Sequence, residues 1–561
     1  MAHHLHRETA QVAEFFEEFR GASVKDGSFD SAASDDFLAN AINQSLGVKV
    51  PEKLQIALDE ADDKSAAHIA HALFDGASVY EQMHGAVVPP DVIQQAIHLA
   101  YATTDDAKRK MGMRLDSASS EHADNLSLQP NRAVVAILAA LTEAIPFAHY
   151  LPADINSNEA KLAIMTHQAG DTYGRYTAGG LMDGASSGAT YISSSREHKC
   201  TIVDDGGTPD PAPTGAITGK ITAVQNTDET CDPAGGEIKL LRGRSIVYVE
   251  GQVAARETSS SGTGASAVSG QVVIDGTTHQ IGGTINTDTG AIALTATPAV
   301  PLGTNVVVEA FVDYERDPDF VPEIITAVET FPLWAKPWRV IATQTIDSRT
   351  QMANELGLDP YSEGVLGIQS QFANERHYEV LRKALRLGAL NTATFDFAWA
   401  TMGDYKSRAD VWRDFNAVLG AVSQAMAIAT MNHGVTHLYV GANVAAQMQS
   451  LPPDIWQPSG VLERPGVFRV GRLFGRYDVY YTPKVVTEAT DSANILCVGR
   501  ATDVTRNPFV LGDAVAPTVI PLATNADLKS GAGFYARNFT AVNPHGPSSL
   551  GCATISVTNL F

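Results

Sequence analysis

Gly184-Ala185-Ser186-Ser187-Gly188 has the G-x-S-x-G spacing of a nucleophile elbow. An elbow works because the chain turns sharply from a strand into a helix and so exposes its serine. Here glycines and small residues flank the motif on both sides, from Tyr173 to Tyr191, so the segment reads as an extended, exposed loop. Gly215-Ala216-Ile217-Thr218-Gly219-Lys220 has the tail of a phosphate loop, but Thr214 stands where the first glycine belongs. Ile221 stands where a hydroxyl should hold magnesium, and the motif fails at the positions that make it work.

Metal and acid–base chemistry fare no better. His3, His4 and His6 crowd a chain terminus that offers no supporting ligands. Asp204-Asp205 and the run Asp59, Glu60, Asp62 and Asp63 lie in polar stretches without calcium-loop spacing, and read as solvated surface. Trp334, Trp338, Trp412 and Trp456 could build a sugar platform, but their apolar neighbours favour packing. Cys200, Cys231, Cys497 and Cys552 form no CxxC pair and have no histidine at zinc-ligand spacing, so free thiols are expected. The expectation is therefore no enzyme: no catalytic residue, no cofactor and no metal.

Those residues ride on a chain of 561, long enough for two or three domains. With 44% apolar and 18% charged residues it is ordinary for a folded protein, and its 46 glycines and 27 prolines imply many turns. A net charge of -23 repels a phosphate backbone and disfavours a nucleic-acid reader. No apolar run is long enough to span a membrane, and none follows a basic N-terminal segment.

Residues 1–125 read as short helices. Val12, Phe15, Phe16 and Phe19 make one stripe, stopped at Gly21; Ile93, Ala96, Ile97 and Ala100 make another, entered through Pro89-Pro90. Such stripes need cover, which suggests an arm or module lying on a neighbour. Pro130 to Leu151 is an apolar helix candidate ended by Pro146. Between Arg196 and Arg316 composition shifts to Thr, Gly, Val and Ser with period-2 alternation, as in Val306 to Tyr314. Turns are marked at Asp275-Gly276 and Asp288-Thr289-Gly290, and the segment reads as an inserted all-β, sandwich-like domain.

Helical pattern returns at Ser348, which with Gln351 fits a capping box, and a long helix is predicted from Ser362 to Leu390. Its polar face carries Glu375, Arg376, Glu379, Arg382, Lys383 and Arg386. A second helix presents Val411, Phe415, Val418, Val422, Ala425 and Ala429 on one face, with Gly434 as a left-handed stop. Strands follow at Thr436–Val440, Tyr477–Tyr481 and Asn494–Val498, with a helix near Val444–Ser450, so the class is α+β.

In order and local sequence, the chain from about Pro130 to Phe561, apart from the insertion, resembles the major capsid proteins of tailed phages, of the Hong Kong 97 type and particularly the T-even-like head proteins. The likeness is carried by Gly471-Arg472-Leu473-Phe474-Gly475-Arg476-Tyr477-Asp478-Val479-Tyr480 with Pro483, by Ile495-Leu496-Cys497-Val498-Gly499, and by Ala514 to Leu522 with Phe534-Tyr535-Ala536-Arg537. It implies a helical arm (1–125), the end of the arm and an outgoing extended loop (126–195), and the inserted β-domain (196–316). The returning loop and a peripheral domain with its spine helix follow (317–435), then an axial domain (436–561). Phe331 to Thr345 would be the return of the loop, and the insertion would clamp a neighbouring subunit. Relatives often lose a leader by cleavage after Leu- or Ile-x-Glu; Leu141-Thr142-Glu143 fits that pattern but lies inside an apolar helix, so retention of the N-terminus is expected.

The resemblance implies a self-assembling shell subunit whose working parts are interfaces. Its partners would be copies of itself in hexamers and pentamers, with portal, scaffold and decoration proteins, around double-stranded DNA held without sequence-specific contacts. It would be assembled in the host cytoplasm and reside in the virion head. Two alternatives remain: an encapsulin-like compartment shell, and a glycan-binding surface protein mounted on the same frame.

Overall fold

A computed structural model describes residues 2–25, 28–29, 31–42, 49–61, 63–104, 125–154, 157–207, 211–357, 360–522 and 528–561. The chain divides into two units: Met1–Ile164 with Glu329–Phe561, and Met165–Val328.

In the first unit the apolar stripes do become helices. α1 (Ala2–Ser23) buries Val12, Phe15, Phe16 and Phe19, and it runs through Gly21 rather than stopping there. The Phe15 and Phe19 rings each lie about 6 Å from Phe37 of α2 (Ser31–Ile42), joined to α1 through the short strands β1 (Val24–Lys25) and β2 (Ser28–Phe29). α3 (Glu52–Asp59) and α4 (Asp63–His84) follow; α5 (Pro90–Ala102) starts at the predicted proline pair and is buried on every side. α6 (Asn125–Thr142) crosses α4 closely, since a Cβ at Gly76 would come within 2.5 Å of Leu141 Cδ1. It ends four residues before Pro146, earlier than the apolar run suggested, and Ile145 and Phe147 continue below it as non-helical core.

Cover for these stripes comes from the chain itself. They share one core with Val380, Leu381 and Ala384 of a long helix and with Tyr439, Tyr480, Leu496 and Phe509 of the sheets. Apolar area removed from water at ~25 cal/mol per Å² makes this burial the main reason the helices stay docked.

Two sheets complete the unit. A four-stranded sheet has the order β17-β25-β24-β3, built from β3 (His149–Tyr150), β17 (Lys336–Thr345), β24 (Phe509–Leu522) and β25 (Lys529–Val542). A mixed seven-stranded sheet has the order β18-β26-β23-β19-β22-β21-β20. Its members are β18 (Thr392–Asp396), β19 (Val435–Val440), β20 (Trp456–Pro458), β21 (Phe468–Leu473), β22 (Tyr477–Tyr481), β23 (Ser492–Gly499) and β26 (Cys552–Thr558). α7 (Ile346–Gln351), α8 (Pro360–Gly388), α9 (Trp399–Met402), α10 (Arg408–Thr430), α11 (Ala442–Gln449) and α12 (Gly546–Ser549) accompany them. This is the expected mixture of helix and sheet.

α10 corrects two details. Its buried face is Val411, Trp412, Phe415, Leu419, Val422 and Met426; Val418 is half-buried and Ala425 exposed. The left-handed stop is Met431, at φ 60, not Gly434. The predicted stripe drifted because its Val418 and Ala425 lie a residue away from Leu419 and Met426, the positions that meet the sheet.

The second unit holds a two-stranded pair, β8 (Gln225–Thr227) with β9 (Thr230–Cys231), and a nine-stranded sheet of order β5-β15-β10-β11-β12-β13-β14-β7-β6, in which β10 is Ile246–Val249 and β11 is Gln252–Glu257. Its edge members, β5 (Ser195–Lys199) and β6 (Thr201–Asp204), are separated in the chain by Cys200 alone. Lys199 pairs with Val307 on β15 (Val306–Phe311), while Thr201 pairs with Thr218 on β7 (Pro213–Lys220). The sheet therefore closes on itself as a barrel, and the sandwich-like reading is corrected: alternation reports a one-faced strand but not whether the sheet it joins closes. The predicted hairpins hold. β12 (Ala265–Ile274) meets β13 (Thr277–Asn286) across Asp275-Gly276, at φ 46 and 77, the conformation a two-residue primed turn requires. β14 (Ala291–Thr297) follows Gly290 as expected.

Tyr173 to Tyr191 belongs to this barrel unit rather than forming a bare loop. Tyr173, Tyr176 and Tyr191 are buried in its core, and the Arg196 guanidinium sits 4.2 Å over the Tyr173 ring. The glycines signalled exposure; the three tyrosines carried the contrary signal.

Candidate assembly surface

Sequence candidates for chemistry scatter across the fold. Ser186 lies in an exposed single turn, Gly184–Ser186, with no strand before it or helix after it. Gly215 to Lys220 is strand β7, so its amides are committed to a ladder and not to a phosphate. Asp205 accepts from the Ala212 and Gly207 amides, which hold its carboxyl below the usual range. The side chains of His3, His4 and His6, and Asp62 with the Asp63 side chain, lie outside the described residues. Among the described residues no group of three or more His, Cys, Asp or Glu is placed to share a metal, and all four cysteines are buried and free. Leu141 is buried at the end of α6, beside Glu143, whose carboxyl burial pushes up to about 7.

The tryptophans separate. Trp412 and Trp456 are core, and Trp338 packs edge-on against Phe372 at 5.2 Å while its Nε1 donates to Asn538 Oδ1 at 2.8 Å. Trp334 departs from the packing expectation, being 62% exposed.

Trp334 marks the most unusual surface of the first unit. β16 (Ile324–Trp334) crosses the boundary between the units, as does its partner β4 (Glu159–Ala169). β17 then pairs along its length with β25, from Lys336 with Asn538 to Thr345 with Lys529. No residue from Lys336 to Glu355 is buried, and none of the described side chains of α8 is buried before Phe372. Val340, Ile341, Ile346, Met352 and Leu366 are all exposed, Ile341 at 65% and Leu366 at 58%. A lone exposed Leu needs no explanation, but six large apolar side chains exposed between 334 and 366 do.

The scaffold beneath that surface is tied by specific contacts. Thr345, not Ser348, caps α7: its extended backbone at ψ 155 lets its hydroxyl accept from Ser348 N at 3.2 Å, which is the geometry a cap demands. A π turn at Met352–Leu356 ends on Gly357 at φ 65, and α8 begins. Phe372 packs between Trp338, edge-on, and Phe534, tilted at 5.1 Å. Glu379 joins Lys336 at 2.6 Å, Lys383 at 2.7 Å and Thr540 at 2.7 Å; burial opposes its ionisation, but these bonds outweigh burial and hold the carboxyl down at about 2.

Arg376 was expected on the polar face of this helix and is instead buried, pairing with Asp513 at 3.1 Å, to which Gln95 also donates at 3.0 Å. That joint ties α5, α8 and β24 together. A signal for it existed: Arg376 stands four residues from both Phe372 and Val380, on the buried stripe itself. Asp91 makes a second joint with Arg500 at 3.1 Å and His149 at 3.3 Å. Asp91 and His149 line one cavity together with Tyr150, and Arg376 and Asp513 line another together with Glu143.

No family model and no curated protein matches this sequence. Among solved structures, the chain is similar to phage capsids. One is the jumbo bacteriophage PhiKZ capsid, at 11% identity over 73% of this chain and 91% of that one, with a TM-score of 0.35. Another is the capsid of Myoviridae phage XM1, at 9% identity over 43% and 78%, with a TM-score of 0.28. The SrpI encapsulin complex from Synechococcus elongatus PCC 7942 is also similar, at 11% identity over 43% and 79%, with a TM-score of 0.25.

Proposed function

We propose that this chain is the major capsid protein of a phage head, a structural shell subunit whose copies assemble into hexamers and pentamers around double-stranded DNA. The observation that carries the reading is the run of six large apolar side chains between Trp334 and Leu366, carried on a helix-and-strand frame and left exposed by the described residues. Each such side chain gains roughly 1.5–3 kcal/mol on full burial, so a neighbour seated there gains enough to drive association. The element order supports it as well: helical module, strand pair enclosing an inserted β unit, long helix, then mixed sheet is the order the tailed-phage resemblance implies. A net charge of -23 suits a wall that must not adhere to a polyanion.

Under this reading no catalysis is required, the site of action is the virion head, and portal, scaffold and decoration proteins are the further partners. The inserted barrel is the clamp to a neighbouring subunit. Negative-stain microscopy of the purified chain, expressed alone and with neighbouring genes, tests it. Closed shells, tubes or hexameric rings are expected; a stable monomer or dimer under all conditions overturns the reading, and particles carrying peptide cargo in place of DNA point to an encapsulin-type shell. Ile341→Asp should leave the subunit folded by circular dichroism yet abolish particles.

A further inference from the structure

A cavity of about 350 Å³ opens among the end of α4, the first half of α8 and the 461–469 segment that leads into β21. Its lining is cationic and incompletely satisfied, unlike the exposed apolar run described above. Arg464 donates to the Val467 carbonyl, at 3.0 Å from Nη2, and has no carboxylate partner among the described residues. Arg469 is buried and donates to Asp478 at 2.7 Å, but Arg472 claims the same carboxylate at 3.1 Å, so two guanidiniums face one acid and a positive charge is left over.

His84 supplies the second observation. It is buried on the cavity wall with Nδ1 3.0 Å from the Tyr480 hydroxyl, and its Nε2 has no partner. A buried, unsatisfied ring nitrogen costs free energy that a ligand would recover. His377 and Asn374 of α8 line the same space. The one acid in the lining is Glu143, and burial, with Asp513 nearby, keeps its carboxyl from ionising fully at neutral pH against the pull of Arg376. Gly85, at φ 62, is what lets Arg469 approach: any side chain there would collide with the guanidinium.

We propose that this cavity binds a small oxyanion of the phosphate class, held between the Arg464 and Arg469 guanidiniums and the free ring nitrogen of His84. Guanidinium forks match such oxygens in geometry and charge, and on the side of the buried Arg469 and His84 the interaction is less screened than at an open surface. The site stands independently of the shell reading.

Isothermal titration of the full chain with inorganic phosphate, at constant ionic strength set by chloride, tests it. Saturable binding is expected, weakened by about tenfold or more in Arg464→Ala and partly retained in Arg464→Lys. Arg464 is exposed, so both variants should keep the circular dichroism and melting temperature of the parent in the absence of phosphate. Absence of saturable heat in the parent overturns the proposal, and so does equal affinity in parent and Arg464→Ala.

Discussion

Arg376 and Asp513 show what a single residue decides here. Two charges taken out of water are tolerated only as a pair, and removing one strands the other. Arg376→Ala should therefore cost about 3–5 kcal/mol, read as a lowered urea midpoint, whereas replacing both partners by Met and Leu should cost much less. A second residue-scale prediction concerns acid. Burial lowers His84 to about 3, and His377 and His437 to about 4, from an ordinary 6.5. The unfolded chain binds these protons first, so their stabilising contribution is complete above pH 6.5 and is lost as pH falls from there toward 4 and 3. Glu143 runs the other way: raised from 4.5 to about 7, it favours the fold below pH 4.5 and loses that contribution as pH rises through 7. Urea midpoints across pH 4 to 8 should fall on the acid side, and His377→Gln should flatten that fall.

Among the elements, α10 separates pattern from packing. The sequence placed Val418 in the core, yet the adjacent Leu419 is fully buried and Val418 is not. Leu419→Ala should thus cost about 2–5 kcal/mol, and Val418→Ala clearly less, by thermal or urea unfolding. The reverse order would show that the helix is rotated from the face described. β17 and the start of α8 make the complementary case, since their apolar residues follow no core and their exposure is visible only once β25 is known to take one edge of β17.

For the whole molecule, the division into two units has its own consequence. Met165–Val328 has a closed barrel with its own apolar core, and its ends are brought together where Gly170 N donates to Glu323 O at 2.8 Å. A fragment of those residues should fold alone and melt in one cooperative, reversible transition followed by circular dichroism. A fragment that aggregates or lacks a transition would show that the barrel depends on the rest of the chain.

What the sequence determined by itself was local. Stripes at 3.6-residue spacing became α1, α5 and α10; period-2 runs became strands; Asp275-Gly276 set a primed turn because few residues other than glycine accept φ near 77. The favourable order of Glu379 and Lys383 became a 2.7 Å ion pair. Decisions that join distant parts were beyond it. Closure of the barrel needed Cys200 to stand between two ladders, burial of Arg376 needed Asp513 137 residues away, and exposure of Trp334 needed the described residues to leave it uncovered. Periodicity reports which side of an element is apolar, whereas the partner that meets that side is chosen by the packing of the whole chain.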